Sequence, residues 1–140
     1  MAYWLVKTEP QEYSWEMLEK EGEARWDGIH NYQARDHLRE MKPGDVVFVY
    51  HSGDERMITG LARVASEAYP DETAKTGDWL AIDIEPLKVL NRVVSFEEIK
   101  NTYGLSVMPL VSQSRLSVHP VSEAQAAMLL KIAKTEIDRG

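Results

Sequence analysis

Ten consecutive residues, Trp26-Asp27-Gly28-Ile29-His30-Asn31-Tyr32-Gln33-Ala34-Arg35, place two aromatics, two amides, a histidine and an arginine in one short stretch. Flat rings offer stacking faces, and side-chain amides offer the paired donor and acceptor groups that read the edge of a nucleobase. Gly28 permits a tight turn, and Asn31 is a good helix N-cap, its side-chain oxygen free to accept from the amides of Gln33 or Ala34. The amides at a helix start are themselves free donors. A planar polar ligand such as a nucleobase suits this set. The competing reading makes Trp26 and Tyr32 core aromatics and puts Gln33 and Arg35 on a wet helix face.

A second group lies at the ends of two expected strands: Lys7 with Thr8 and Glu9, and His51 with Ser52. Lys7, Glu9 and His51 have the chemistry of a general acid–base set, since histidine titrates near neutrality and burial tunes a carboxyl upward. The same residues serve ligand binding without any tuning, or are solvated strand ends. Of the aromatics, Trp26, Tyr32 and Tyr69 are flanked by polar loop residues and are expected to face a cleft, with Tyr69-Pro70-Asp71 as a rim. His30, His37, His51 and His119 fit no metal-binding spacing, so no metal is expected. No G-x-S-x-G elbow, P-loop or G-x-G-x-x-G occurs.

The elements that must position these residues follow from pattern. Residues 3–8 alternate and favour β structure. Ser14 caps a helix over 15–21 that Gly22 stops. A strand-like piece at Trp26 leads through the turn into a helix capped by Asn31, running past Leu38 and Met41 to Pro43-Gly44. Residues 46–51 are apolar on both faces, as in a central strand. A hairpin loop at 52–55 precedes a strand over 56–66, whose Gly60 marks a bulge or a close approach. Residues 67–78 read as a polar loop and 79–90 as a strand, with Pro86 at an edge or bulge. Ser95 opens a short helix to about Tyr103 by a capping box. Residues 105–115 are irregular, 116–119 form a strand ended by Pro120, and Ser122 opens a helix to about Ile137 with Ala126, Leu129, Leu130, Ala133 and Ile137 inward. The expected fold is α+β, a small mixed barrel of five or six strands with helices inserted, as a single domain over 1–140.

Composition narrows the function. No apolar run reaches the ~20 residues of a membrane span, the N-terminus lacks a signal peptide, and cysteine is absent, so a cytoplasmic protein without disulfides is expected. The formal net charge is −7. Indiscriminate grip on phosphate backbones requires a basic surface, so any nucleic-acid role must rest on a local patch or on recognising a base.

Tyr3-Trp4-Leu5-Val6-Lys7-Thr8-Glu9-Pro10, the stretch Trp26 to Arg35, Lys42-Pro43-Gly44-Asp45, Tyr50-His51-Ser52, Glu67-Ala68-Tyr69-Pro70-Asp71 and Arg115-Leu116-Ser117-Val118-His119-Pro120-Val121 together resemble the motifs of the EVE domain. The resemblance covers nearly the whole chain. It implies a PUA-like pseudo-barrel with flanking helices, related to YTH and ASCH domains, and a non-enzymatic pocket without cofactor that accepts a modified base flipped from DNA or RNA. Carried over by motif, that pocket draws on Lys7, Thr8, Trp26, Asn31, Gln33, His51, Ser52 and Tyr69, with Arg115 as a neighbour; Tyr32 joins them from the residue reading. The family commonly has arginine where this chain has His30, which removes a permanent cation and makes any phosphate contact there pH-dependent. Two other classes stay open: a small enzyme acting through Lys7, Glu9 and His51 on a nucleobase-like or acyl substrate, and an interaction module whose cleft takes a peptide or subunit.

Overall fold

In the computed structural model, which describes residues 1–137, one curled mixed sheet carries an apolar cluster on each face. Its strands are β1 (Tyr3–Thr8), β2 (Ala24–Trp26), β3 (Val46–His51), β4 (Met57–Val64), β5 (Tyr69–Pro70), β6 (Leu80–Ser95) and β7 (Val118–Val121). They lie in the order β2-β6-β4-β3-β1-β7, with β5 on β6. Only β1 and β3 run parallel among the paired strands described; the other pairs are antiparallel. A parallel pair needs a crossover, and here it contains α1 (Trp15–Glu21), β2 and α2 (Tyr32–Glu40). That crossover carries the central stretch across one face of the sheet.

The helices divide the two faces. α1 and α2 cover Trp4, Val6, Val47 and Val49 with Trp15, Leu18, Ala34 and Leu38. On the other side, α3 (Phe96–Lys100), α4 (Pro109–Ser112) and α5 (Glu123–Ile132) bury Leu5, Phe48, Tyr50, Ile58 and Leu61 with Ile99, Leu110, Ala126 and Leu129. All six residues of β3 are buried, as its two-sided apolar pattern requires. Asp45, buried at its start, accepts from the Trp4 indole N–H at 3.0 Å and from the backbone N–H groups of Ala2 and Lys42. Those three donors offset the cost of burying its charge.

Several expectations are corrected. Among the described residues there are seven strands, because two residues of the expected polar loop, Tyr69 and Pro70, pair with Ala81 and Leu80. β6 runs on to Ser95 and passes Pro86 where its pairing with β4 shifts register, so the missing N–H interrupts no regular ladder. β7 includes Pro120, which an edge strand tolerates. α3 ends at Lys100, not Tyr103. The irregular 105–115 segment contains α4, with Pro109 in its first turn. α5 stops at Ile132, and Lys134 takes a positive φ of 52° that ends the helix; Ile137 joins the core from beyond it. The last three residues of the expected 1–140 domain lie outside the described residues.

Candidate nucleic-acid interface

Chain geometry brings the end of β1 and the end of β2 to one cleft of about 510 Å³. That volume is ample for a small planar ligand. β1 delivers Lys7 and Thr8, with Glu9 just beyond its end; β2 delivers Arg25 and Trp26; the turn into α2 delivers Gly28, His30 and Asn31. Arg115 and Ser117, just ahead of β7, close the fourth side.

Each wall has a local cause. Thr8 donates its hydroxyl to the Tyr13 carbonyl at 2.7 Å, pinning the 9–13 turn that forms one side. The Tyr13 ring meets Trp26 edge-on at 5.8 Å and 84°. Gly28, with φ of 71°, sends its N–H to buried Asp71 at 2.9 Å. Asp71 also accepts from the Thr73 N–H and hydroxyl at 2.9 and 2.5 Å. Burial alone would raise the Asp71 carboxyl, but the donors from Thr73 and Gly28 outweigh it and hold it below its ordinary range. Asn31 caps α2 through Oδ1, which accepts from the Ala34 N–H at 2.9 Å, and its Nδ2 is left as a donor. The first turn of α2 holds no acidic residue.

The charges in the cleft are mixed. Lys7 is half-buried, its Nζ donates to the Ser114 carbonyl at 2.9 Å, and burial lowers its pKa. Arg25 is committed to Asp27 at 2.8 Å. Arg115 is exposed and forms no ion pair among the described residues. Glu9 and Glu12 supply acceptors to the same cleft, and Glu9 lies so close over Gly53 that a Cβ there would sit 2.6 Å from its carboxylate.

Of the ten candidates, Lys7, Thr8, Trp26, Asn31 and Arg115 line this cleft. Gln33 lies in a shallower adjoining groove of about 300 Å³ that shares Asn31 and Arg115 with it. The remaining four are placed elsewhere. His51 is 2 % exposed; its Nε2 accepts from the Trp15 backbone N–H at 3.0 Å, and its Nδ1–H donates to Glu55 at 2.8 Å. It anchors the start of α1. Ser52 continues the β1–β3 ladder, its N–H bonded to the Thr8 carbonyl. Tyr69 donates its hydroxyl to Asp83 at 2.5 Å, and burial, then that carboxylate, pushes its pKa up to about 12. Tyr32 points to solvent, 67 % exposed and stacked on Trp79. Trp26 itself is 9 % exposed, so it presents a strip of ring to the cleft and is otherwise core. Sequence reasoning passed over Glu12, Tyr13 and Arg25 as cleft residues. Alternation in β2 was the available signal for Arg25, which is exposed beside inward-facing Trp26.

A family model described as "EVE domain" matches residues 2–132. Mouse thymocyte nuclear protein 1 is 33% identical, over 96% of this chain and 74% of that one. A protein from Agrobacterium tumefaciens superposes with a TM-score of 0.93 at 36% identity, covering 96% of this chain and 94% of that one. Human THYN1 protein, solved in complex with 5-methylcytosine-containing DNA, superposes with a TM-score of 0.88 at 29% identity, over 97% and 99%. The YTH domain of Zygosaccharomyces rouxii MRB1 protein, in complex with N6-methyladenosine RNA, superposes with a TM-score of 0.60 at 15% identity, over 98% and 88%. That last likeness speaks for the fold alone, and the fold is the PUA-like one the motifs implied. With the crossover, cleft walls and sheet order in place and the match spanning nearly every described element, the chain belongs to the EVE domain family.

Proposed function

We propose that this protein is a non-enzymatic module that binds a modified base of DNA or RNA, displaced from its stack, in the cleft between the ends of β1 and β2. The observation that carries the reading is the convergence of Lys7, Thr8, Trp26, Asn31 and Arg115 on one cavity in a family whose human relative was solved with 5-methylcytosine-containing DNA. The chemistry of the walls supports it. Glu9 and Glu12 are acceptors suited to an exocyclic amino group such as cytosine N4. Lys7, Thr8 and Asn31 Nδ2 supply donors for ring nitrogens and carbonyl oxygens. The Tyr13–Trp26 pair gives the apolar surface a base methyl would bury.

Magnitudes set the expected behaviour. A buried methyl contributes about 1 kcal/mol, so preference for the modified base is about fivefold. Displacing a base from a duplex costs a few kcal/mol, less at unpaired or mismatched sites. Phosphate contacts must help, and Arg115 with the free α2 amides beside Gln33 is the place for one. The acid–base alternative loses its histidine: both ring nitrogens of His51 are engaged away from the cleft, leaving Lys7 and Glu9 without it. The test is a titration of short oligonucleotides carrying modified or unmodified cytosine or adenine. Expected is a preference of about fivefold for one modified base, with affinity for every oligonucleotide reduced by Lys7→Gln and Arg115→Gln. Equal binding of all oligonucleotides, unaffected by either substitution, would overturn the reading.

A further inference from the structure

We propose that Tyr32 and Trp79 form a second stacking platform beside the cleft, which takes the unpaired base neighbouring the one in the cleft. This rests on the base-binding reading above and adds to it a requirement for flexible or single-stranded flanking sequence. The two rings stack at 5.0 Å and 24°, and His30 packs on Trp79 from the cleft side at 5.2 Å. The Arg35 guanidinium lies 5.1 Å from the Tyr32 ring and 5.9 Å from the Trp79 ring. It is held there by Asp36 at 2.9 Å and Asp78 at 2.7 Å. The 71–79 loop is fitted to the indole: a Cβ at Gly77 would come 2.8 Å from Trp79 Nε1. These contacts pre-set the platform, so little order is lost when a ligand arrives.

Fastening the loop does not account for the exposed ring. Asp71 already ties that loop to Gly28, and Arg35 ties it to α2 through Asp78. Yet Tyr32 remains 67 % exposed, an aromatic surface open to solvent. The platform is continuous with the cleft, because His30 borders both the cleft and a second hollow of about 450 Å³ that Trp79 and Lys75 also line. Asp36 and Asp78 border the platform and disfavour a phosphate on it, so the fitting group is a base face. Base stacking on aromatics is sequence-tolerant, since every base has a π-face. A base paired inside a duplex offers no free face, which commits the occupant to an unpaired nucleotide.

The experiment compares 5-methyldeoxycytidine monophosphate with a single-stranded hexanucleotide carrying one central 5-methylcytosine. Both are titrated into the unaltered protein, Tyr32→Ala and Tyr32→Phe, with the indole N–H signals of Trp26 and Trp79 followed by NMR. Expected is a tenfold to hundredfold loss of hexanucleotide affinity in Tyr32→Ala, no change for the mononucleotide, and full retention in Tyr32→Phe. The hexanucleotide, and not the mononucleotide, shifts the Trp79 signal. Unchanged hexanucleotide affinity in Tyr32→Ala, or an equal loss for both ligands, overturns the platform; a Trp26 shift in that case leaves the cleft reading standing. A Trp79 shift without a Trp26 shift overturns the cleft reading and, with it, the placing of the platform beside an occupied cleft. No binding of the hexanucleotide by the unaltered protein overturns both.

Discussion

Gly60→Ala is expected to destabilise this fold although its backbone needs no left-handed conformation. The added Cβ would lie 2.6 Å from two atoms of the Trp15 indole and 2.7 Å from a third. Carbon atoms in contact prefer about 3.5–4.0 Å, so the ring must retreat by roughly 1 Å. It has little room to do so: Trp15 is 2 % exposed, and its backbone N–H is tied to His51. Overpacking of this kind costs about 1–3 kcal/mol or more, against about 0.4–1 kcal/mol regained from a less flexible unfolded chain. A net loss of about 2 kcal/mol lowers Tm by roughly 4–8 °C in a chain of this size. Gly22→Ala is the control, because φ there is 80° with open space around it, leaving backbone strain alone. Thermal and urea unfolding supply the readings. In a Trp15→Phe background the same Gly60 substitution should cost less, since the smaller ring leaves space. A Gly60→Ala protein as stable as its parent, or an unchanged cost in the Trp15→Phe background, would refute the packing of Trp15 over Gly60.

Three further outcomes follow from particular contacts. Asp71→Ala strands the donors of Gly28 and Thr73, so it should cost about 1–3 kcal/mol in urea unfolding and weaken ligand binding by loosening the wall that carries Asn31. Buried His119 has its pKa lowered from 6.5 to about 4, chiefly by burial, with Lys7 and His37 adding to it and the Pro120 carbonyl opposing. Between those values the unfolded chain binds a proton that the folded one refuses, so stability falls as pH drops from about 6.5 to about 4, by up to about 3 kcal/mol; in His119→Leu that part of the slope should vanish from unfolding curves taken across the range. Trp26→Ala should cost about 3–5 kcal/mol, the core figure, because little of the ring is exposed; a loss under about 1 kcal/mol would show the ring to be far more open than 9 %.

Local chemistry was legible in the sequence wherever a short-range rule decided the outcome. Ser14, Asn31, Ser95 and Ser122 cap their helices as their spacing indicates, each accepting from an amide within three residues. The two-sided apolar run of β3 predicted a central strand. What the sequence concealed depended on distant partners. Tyr69 pairs on β6 because a neighbouring strand edge is available, not because its own residues demand it. The strand-end argument for His51 assumed that a polar residue at a strand terminus faces a cleft. Helix α1 instead folds back over it, and the Trp15 N–H, 36 residues away, takes up the ring. Tyr32 is kept out of the cleft by helical geometry: one residue past the cap, it turns away from Asn31 and stacks on Trp79. The strand ends that do converge, Lys7 and Trp26, lie on β1 and β2, which do not pair with each other: β2 sits in the crossover between the parallel strands β1 and β3 and joins the sheet antiparallel on β6, a placement no local pattern encodes.

The most direct test of base recognition in the cleft uses Lys7, whose half-buried ammonium faces it and whose removal strands no described side chain. Affinity for a single-stranded oligonucleotide with one modified base, and for its unmodified counterpart, is measured for the parent and for Lys7→Gln across a range of salt concentrations. The expected result is weak, salt-sensitive binding of the unmodified strand, about fivefold tighter binding of the modified one, and at least about tenfold weaker binding of both in Lys7→Gln while thermal stability is retained. Unchanged affinity for the modified strand in Lys7→Gln, or tight binding of unmodified duplex at physiological salt, would contradict it.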